Sequence, residues 1–232
     1  MSEEDFKIEA AKIFKNIFGR EVDFDLDTIK KRYAFDVVLP KEVIDSSSGE
    51  VTYTAAANSK TYMTNDNATK RDMSEGWMVP KEDLHSLEDV VRAWEKTNAM
   101  TTERNYDSEN VLKSDTIYNC QNVYCSMDSS RSKWLIFCDS CHDSEDLIAS
   151  SRSVRSNSCI RCDDSQNCAN SYGVICSNKI SNSLFIQDCF DLYECMFCSH
   201  IASKKFVIAN MQFEEDEYYQ IKKFIVDWIL GV

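Results

Sequence analysis

The chain has 232 residues, a net charge of −13 and 43% hydrophobic residues, with eleven cysteines, five glycines and two prolines. This apolar content excludes a disordered chain, the acidic charge argues against nucleic acid as a partner, and no apolar run reaches the roughly 18 residues of a membrane helix. The acidic start, MSEEDFKIEA, lacks the basic n-region of a secretory signal, so a cytoplasmic, reducing setting is expected, with cysteines as thiols or metal ligands.

Residues 1–106 show no repeat and read as a small α+β region. Ser2 with Asp5 resembles a capping box and opens a helix to about Phe18, with Phe6, Ala10, Ile13, Phe14 and Ile17 as its apolar stripe. Tyr33 to Ala55 reads as a β-hairpin with Ser-Ser-Gly in its turn, followed by a polar loop from about Asn58 to Glu75. Ser86 with Asp89 opens a second helix to about Asn98.

From Ser108 a period of three begins. Steps of three reach Val111, Ser114, Ile117, Cys120, Val123 and so on to Cys195, Cys198 and Ile201, and only Ser, Cys, Val, Ile and Leu occur. This is the period of neither a free strand nor a helix. It suits a tight coil that turns one small or aliphatic side chain inward at each step. A second column fixes the turn at twelve: Leu112, Tyr124, Ile136, Ile148, Ile160, Tyr172, Leu184, Met196 and Ile208. Each follows an inward position by one residue, so this apolar column lies on the outside. A polar column runs through Asp107, Asn119, Arg131, Asp143, Arg155, Asn167, Lys179 and Asp191. Another, with Asn110, Asn122, Asp146, Ser158, Asn170 and Asn182, is rich in residues that tolerate left-handed corners. The expected fold is mainly β: a narrow parallel β-helix over 107–213, twelve residues per turn, in the usual right-handed form. The repeat itself runs from about Asp107 to Ala202, eight turns, which at ~4.8 Å each make a rod roughly 38 Å long. Residues 214–232 form a capping helix, with Tyr218, Ile221, Phe224, Ile225, Trp228 and Ile229 on one face.

The spacing resembles the narrow β-helices of insect antifreeze proteins, which also place small inward residues three apart. The outer columns here lack the threonine rows of an ice-binding face, so that activity is not carried over. The run from Ser181 to Trp228, with its Lys204-x-Phe206-x-Ile208-x-Asn210-x-Gln212-Phe213 segment, resembles uncharacterised bacterial Cys/Ser-rich proteins in which a short coil ends in a similar segment and a helix. That resemblance implies a fold and no activity.

Three C-x-x-C pairs, Cys138/Cys141, Cys159/Cys162 and Cys195/Cys198, invite a zinc reading, with His142 and His200 as further ligands. Nine of the eleven cysteines fall on the inward triplet, Cys125 and Cys176 being the exceptions. Two adjacent triplet positions filled by cysteine spell C-x-x-C automatically, so small buried filler is the leading account. Cys138-Asp139-Ser140-Cys141-His142 also spells the c-type haem pattern, which needs an export compartment. The acids Asp163, Asp164, Asp188 and Asp191 read as corner residues. With three histidines and five glycines in the chain, neither a Cys–His nucleophile nor a phosphate-cradling loop is favoured.

The outer column Leu112–Ile208 is the expected binding surface, because nine large apolar side chains in line must be covered by something. The cover is either the chain's own flanking elements or a second molecule. The resulting expectation is a non-enzymatic scaffold without cofactor, engaging a protein partner or its own copies, including as part of a phage-like particle. The alternatives are a zinc- or redox-dependent protein using Cys138, Cys141, His142, Cys195, Cys198 and His200, and an enzyme whose site lies where residues 1–106 meet the rod.

Overall fold

The computed structural model describes residues 1–56, 58–142, 145–152, 157–163 and 169–231. Parallel partners on successive rungs differ by twelve throughout: Asn105 with Ile117, Val111 with Val123, Leu135 with Leu147, Ile148 with Ile160, Val174 with Ile186, and Met196 with Ile208. The protein is therefore a β-solenoid of twelve residues per turn, and its pairing begins at Asn105, two residues before the expected start. The inward triplet is one continuous core. Ile117, Cys120, Val123, Leu135, Cys138, Leu147, Val174, Ile186 and Cys195 are buried in it, and Val207 extends it beyond Ile201. Ser144, Ser153, Ser156, Ser165 and Cys168 of that series, and Asp143, Arg155, Asp164 and Asn167, lie outside the described residues.

The backbone explains why three residues suffice per side. Every third residue from Asp107 to Arg131, and again from Cys176 to Ala209, has a left-handed φ between 45° and 62°. From Asp107 to His200 each such residue immediately precedes a position of the inward triplet, so the chain turns a corner after every two extended residues. Asn110, Asn122 and Asn182 are corners as expected, but Asp146 is not, and Lys113, Thr116, Phe185 and Phe197 are. A non-glycine residue there costs roughly 1–2 kcal/mol. The compensation is a regular ladder in which corner amides donate to the rung before, as Cys125 N to Leu112 O (3.0 Å), Phe137 N to Tyr124 O (3.1 Å) and Ala149 N to Ile136 O (2.9 Å).

Two helices precede the coil and lie on its side. Helix α1 (Glu3–Phe18) has the expected Ser2–Asp5 capping box and ends on left-handed Gly19. Helix α2 (Leu26–Tyr33), capped by Asp25, was not expected; Leu26, Ile29 and Tyr33 bury its inner face. Strands β1 (Lys41–Ile44) and β2 (Val51–Thr54) form the expected hairpin, shorter than the 33–55 span because Tyr33 ends α2 and residues 34–40 form turns and loop. The supposed polar loop contains strand β3 (Thr61–Thr64) and the short helix α3 (Asn65–Thr69). Helix α4 (Leu87–Thr97) matches the second expected helix, and strand β4 (Ala99–Thr102) returns parallel to β3. Buried Asp45 ties hairpin to strand: its carboxylate accepts from Ser47 N and Oγ, Thr64 N and Asn67 Nδ2. Burial alone would raise its pKa, but these hydrogen bonds hold it well below the usual carboxylate value.

The coil stops at a two-residue turn in which Ala209 and Asn210 are both left-handed, the geometry of a type I′ hairpin. Met211–Gln212 then pairs antiparallel with Val207–Ile208. Asn210 bonds both the N–H and the carbonyl of Ser199, and the Gln212 amide donates to Lys205 O at 2.8 Å. The Lys204–Phe213 segment is thus the terminator of the coil. Helix α5 (Glu215–Leu230) follows and lies along the side of the last rungs, through Phe206–Tyr218 and Phe185–Trp228 ring contacts at 5.4 and 6.2 Å. No helix among the described residues is long and apolar enough to cross a membrane.

Candidate functional site

The outer apolar column is covered by the chain's own helices, the first of the two covers expected from the sequence. Tyr124, Ile136, Ile148, Ile160, Leu184, Met196 and Ile208 are buried, with Leu112 and Tyr172 partly so, in one core with Phe6, Phe14 and Ile17 of α1, Ile29 and Tyr33 of α2, and Tyr218 and Ile225 of α5. Phe6 meets Tyr124 at 5.4 Å and Phe18 meets Tyr172 at 5.5 Å. Tyr33 Oη donates to Ile229 O at 3.1 Å, and burial pushes its phenol up to about 12. The column is the floor on which the chain's own helices sit.

Inside the coil, serine and cysteine perform one task. Ser126 Oγ donates to Tyr124 O, two residues back, at 2.9 Å and accepts from Cys138 N, one rung on, at 3.0 Å. Ser114 does the same with Leu112 O and Ser126 N, Ser177 with Ile175 O and Cys189 N, and Ser183 with Ser181 O and Cys195 N. The cysteines make the same backward contact: Cys120 to Tyr118 O (3.3 Å), Cys138 to Ile136 O (3.4 Å), Cys189 to Gln187 O (3.1 Å) and Cys198 to Met196 O (3.2 Å). A buried hydroxyl or thiol is satisfied by the backbone it points along, which is why the two residue types interchange.

The metal alternative divides by face. Cys138, Cys141, Cys195 and Cys198 point inward and are buried, whereas His142 and His200 are exposed. His142 Nδ1 lies 2.8 Å from Ser130 Oγ, and His200 Nε2 lies 3.8 Å from Asp188. The six residues do not converge, and no group of three or more metal-ligating side chains occurs among the described residues. Cys159 departs from the expected free thiols, its sulfur being disulfide-bonded. Burial pushes the thiols of Cys120, Cys125 and Cys189 up, which weakens them as nucleophiles. Asp163 as a carboxylate ligand falls outside the described side chains.

A polar cleft does lie where the N-terminal region meets the rod, with a volume of about 480 Å³ and Glu50, Asn65, Asp66, Lys70, Glu103 and Asn105 in its wall. Its two hydroxyls are committed elsewhere: Thr64 Oγ1 caps Asn67 N, and Ser108 Oγ bonds Tyr106 O and Cys120 N. Neither histidine nor cysteine lines it, so it holds no activated nucleophile of the usual kind. Ser130 and His142 are within reach of each other, but they stack across rungs on the outer face of the coil.

The surface feature that sequence reasoning missed is α4. Leu87, Val90, Val91 and Trp94 occur at i, i+3, i+4 and i+7 on it, a legible stripe, and all four are exposed; none of the helix's residues is buried. A comparison with known protein families, curated proteins and solved structures finds no match to this chain.

Proposed function

We propose that the protein is a non-enzymatic β-solenoid scaffold that works by presenting surfaces, either to copies of itself or within a larger assembly, a phage particle among the possibilities. The observation that carries this reading is α4: an amphipathic helix with Leu87, Val90, Val91 and Trp94 on one face, all exposed, and no buried residue. Isolated helices of this length are marginal in water, and an apolar ridge at helical spacing is a docking device. The rod adds rigidity, since its hydroxyls and thiols are spent on its own backbone.

The test is the size at which the protein migrates in an extract of its native host and after purification. The scaffold reading expects assemblies above the monomer in the extract. Migration as a monomer in both settings refutes it.

A further inference from the structure

We infer that α4 of one copy seats in a groove between α1 and α5 of a second copy. The inference rests on the scaffold reading and names its partner. The ridge is presented, not loose. Ser86 and Asp89 make a capping box at its start, Ser59 and Thr61 hydroxyls bond Asn98 O at its end, and Lys60 and Glu95 form an ion pair along its side. That anchoring turns Leu87, 78% exposed, and Trp94, 59% exposed, toward solvent.

The groove has the complementary chemistry. It has a volume of about 400 Å³, with exposed Tyr219 as its main apolar wall, buried Phe18 and Val226 beneath it, and Arg20, Lys222 and Lys223 as a cationic rim. Arg20 is paired with Asp227 and Lys222 with Glu194, which leaves Lys223 without an ion pair among the described residues. On the ridge, Glu88 flanks Leu87 and Val91 and is likewise in no ion pair there. An acidic-edged apolar ridge and a basic-edged apolar groove therefore occur on one chain. The net charge of −13 opposes association at long range, but salt largely screens that term beyond about 8 Å while the local pairs remain.

A chain cannot fill its own groove. Helix α4 leads through β4 into the first rung, whereas the groove lies beside Tyr172 and Phe206. Leu112 and Tyr172 occupy one column five rungs apart, about 24 Å of rod at ~4.8 Å per rung. The contact is accordingly heterologous: ridge of one copy, groove of the other.

Sedimentation velocity on the full chain tests it, with Trp94→Ala to blunt the ridge and Lys223→Glu to reverse the rim. Both sites are exposed, and circular dichroism checks that the fold is retained. The wild type is expected to associate at micromolar concentration and each variant to do so at least ~30-fold more weakly, the loss typical of an aromatic anchor. Trp94→Phe should recover most of the association. An equimolar mixture of Trp94→Ala and Lys223→Glu should associate more tightly than either variant alone, because one intact ridge then meets one intact groove. A wild type that stays monomeric, association insensitive to Trp94→Ala, or a mixture no better than its components each overturns the inference. A purified monomer found in large assemblies in host extract overturns self-docking alone and leaves the scaffold reading standing.

Discussion

Removing one inward hydroxyl should cost far more than replacing it with a thiol. Ser126 is fully buried and serves two backbone groups, accepting from Cys138 N at 3.0 Å and donating to Tyr124 O at 2.9 Å. In Ser126→Ala the Cys138 amide loses its partner and the Tyr124 carbonyl loses one of two, inside a coil whose neighbouring positions are Ser114 and Cys138. A buried unpaired donor or acceptor costs about 1–3 kcal/mol. The amide of Cys138 has no other route to water, and the Tyr124 carbonyl still accepts from Phe137 N at 3.1 Å. The amide therefore dominates, and the loss is expected at about 2–3 kcal/mol. Ser126→Cys keeps a donor aimed at the same carbonyl, as Cys138 shows at Ile136 O, presents a sulfur to the amide one rung on, as Cys120 does to Ser132, and adds only a slightly larger atom. Its cost should be below about 1 kcal/mol. Guanidinium unfolding followed by circular dichroism measures both. Equal costs for Ala and Cys, or a neutral Ser126→Ala, would refute the account of the interior as a hydrogen-bonded Ser/Cys ladder.

Ile148 is fully buried beneath α1, so Ile148→Asp should destabilise the fold by several kcal/mol through a buried unpaired charge; limited proteolysis should show α1 released, and a stable variant altered only in association would contradict the covered column. Asp45 has a folded pKa below its ordinary 3.8, so its contribution is complete above about that pH and is lost as pH falls through the folded value. Melting temperature against pH should accordingly fall in acid for the wild type and fall less for Asp45→Asn, which should also be the less stable protein at pH 7. Replacing Cys138, Cys141, Cys195 and Cys198 together with serine should leave metal content unchanged and cost at most about 1 kcal/mol per site. Elemental analysis and denaturation check this, and loss of a stoichiometric metal would reinstate the zinc reading.

The coil was legible because its two periods have separate physical causes. The triplet reflects a bore that admits only small or aliphatic side chains, and the twelve-residue column reflects one face that must stay dry. The helix starts at Ser2 and Ser86 were legible because a capping box is local. What covers the outer column was not, since periodicity marks an apolar face without naming its partner. Helix α2 had a readable Asp25 cap and a Leu26–Ile29–Tyr33 stripe, obscured by the β-branched run after it. Strand β3 was missed because it pairs with β4, more than thirty residues on, and such pairing leaves no local signal; α3, at five residues, is too short to show a helical period. The corners were only half legible. Asn at 110, 122 and 182 announces a left-handed backbone, but Lys113, Thr116 and Phe185 adopt it as well, held by the ladder rather than by their own preference.

That distribution of strain says why the helices matter. A bore of single small side chains buries little apolar area per residue, while left-handed corners recur every third residue wherever the coil is regular. The interior ladder satisfies polar groups without supplying much net stability. The large aliphatic and aromatic side chains are instead buried outside the coil, where Ile136, Ile148 and Met196 meet α1 and α5. Arg32 adds bonds to Ile229 O and Leu230 O, and Tyr33 a further one to Ile229 O, so that the first helices and the last are clamped together. Both chain ends thus fold onto one face of the rod and hold it, at ~0.8 kcal/mol for each methylene buried there. The coil is therefore the frame and the helical layer its principal source of cohesion. The large apolar side chains this layer leaves exposed include Leu87 and Trp94 on α4 and Phe224 and Trp228 on α5.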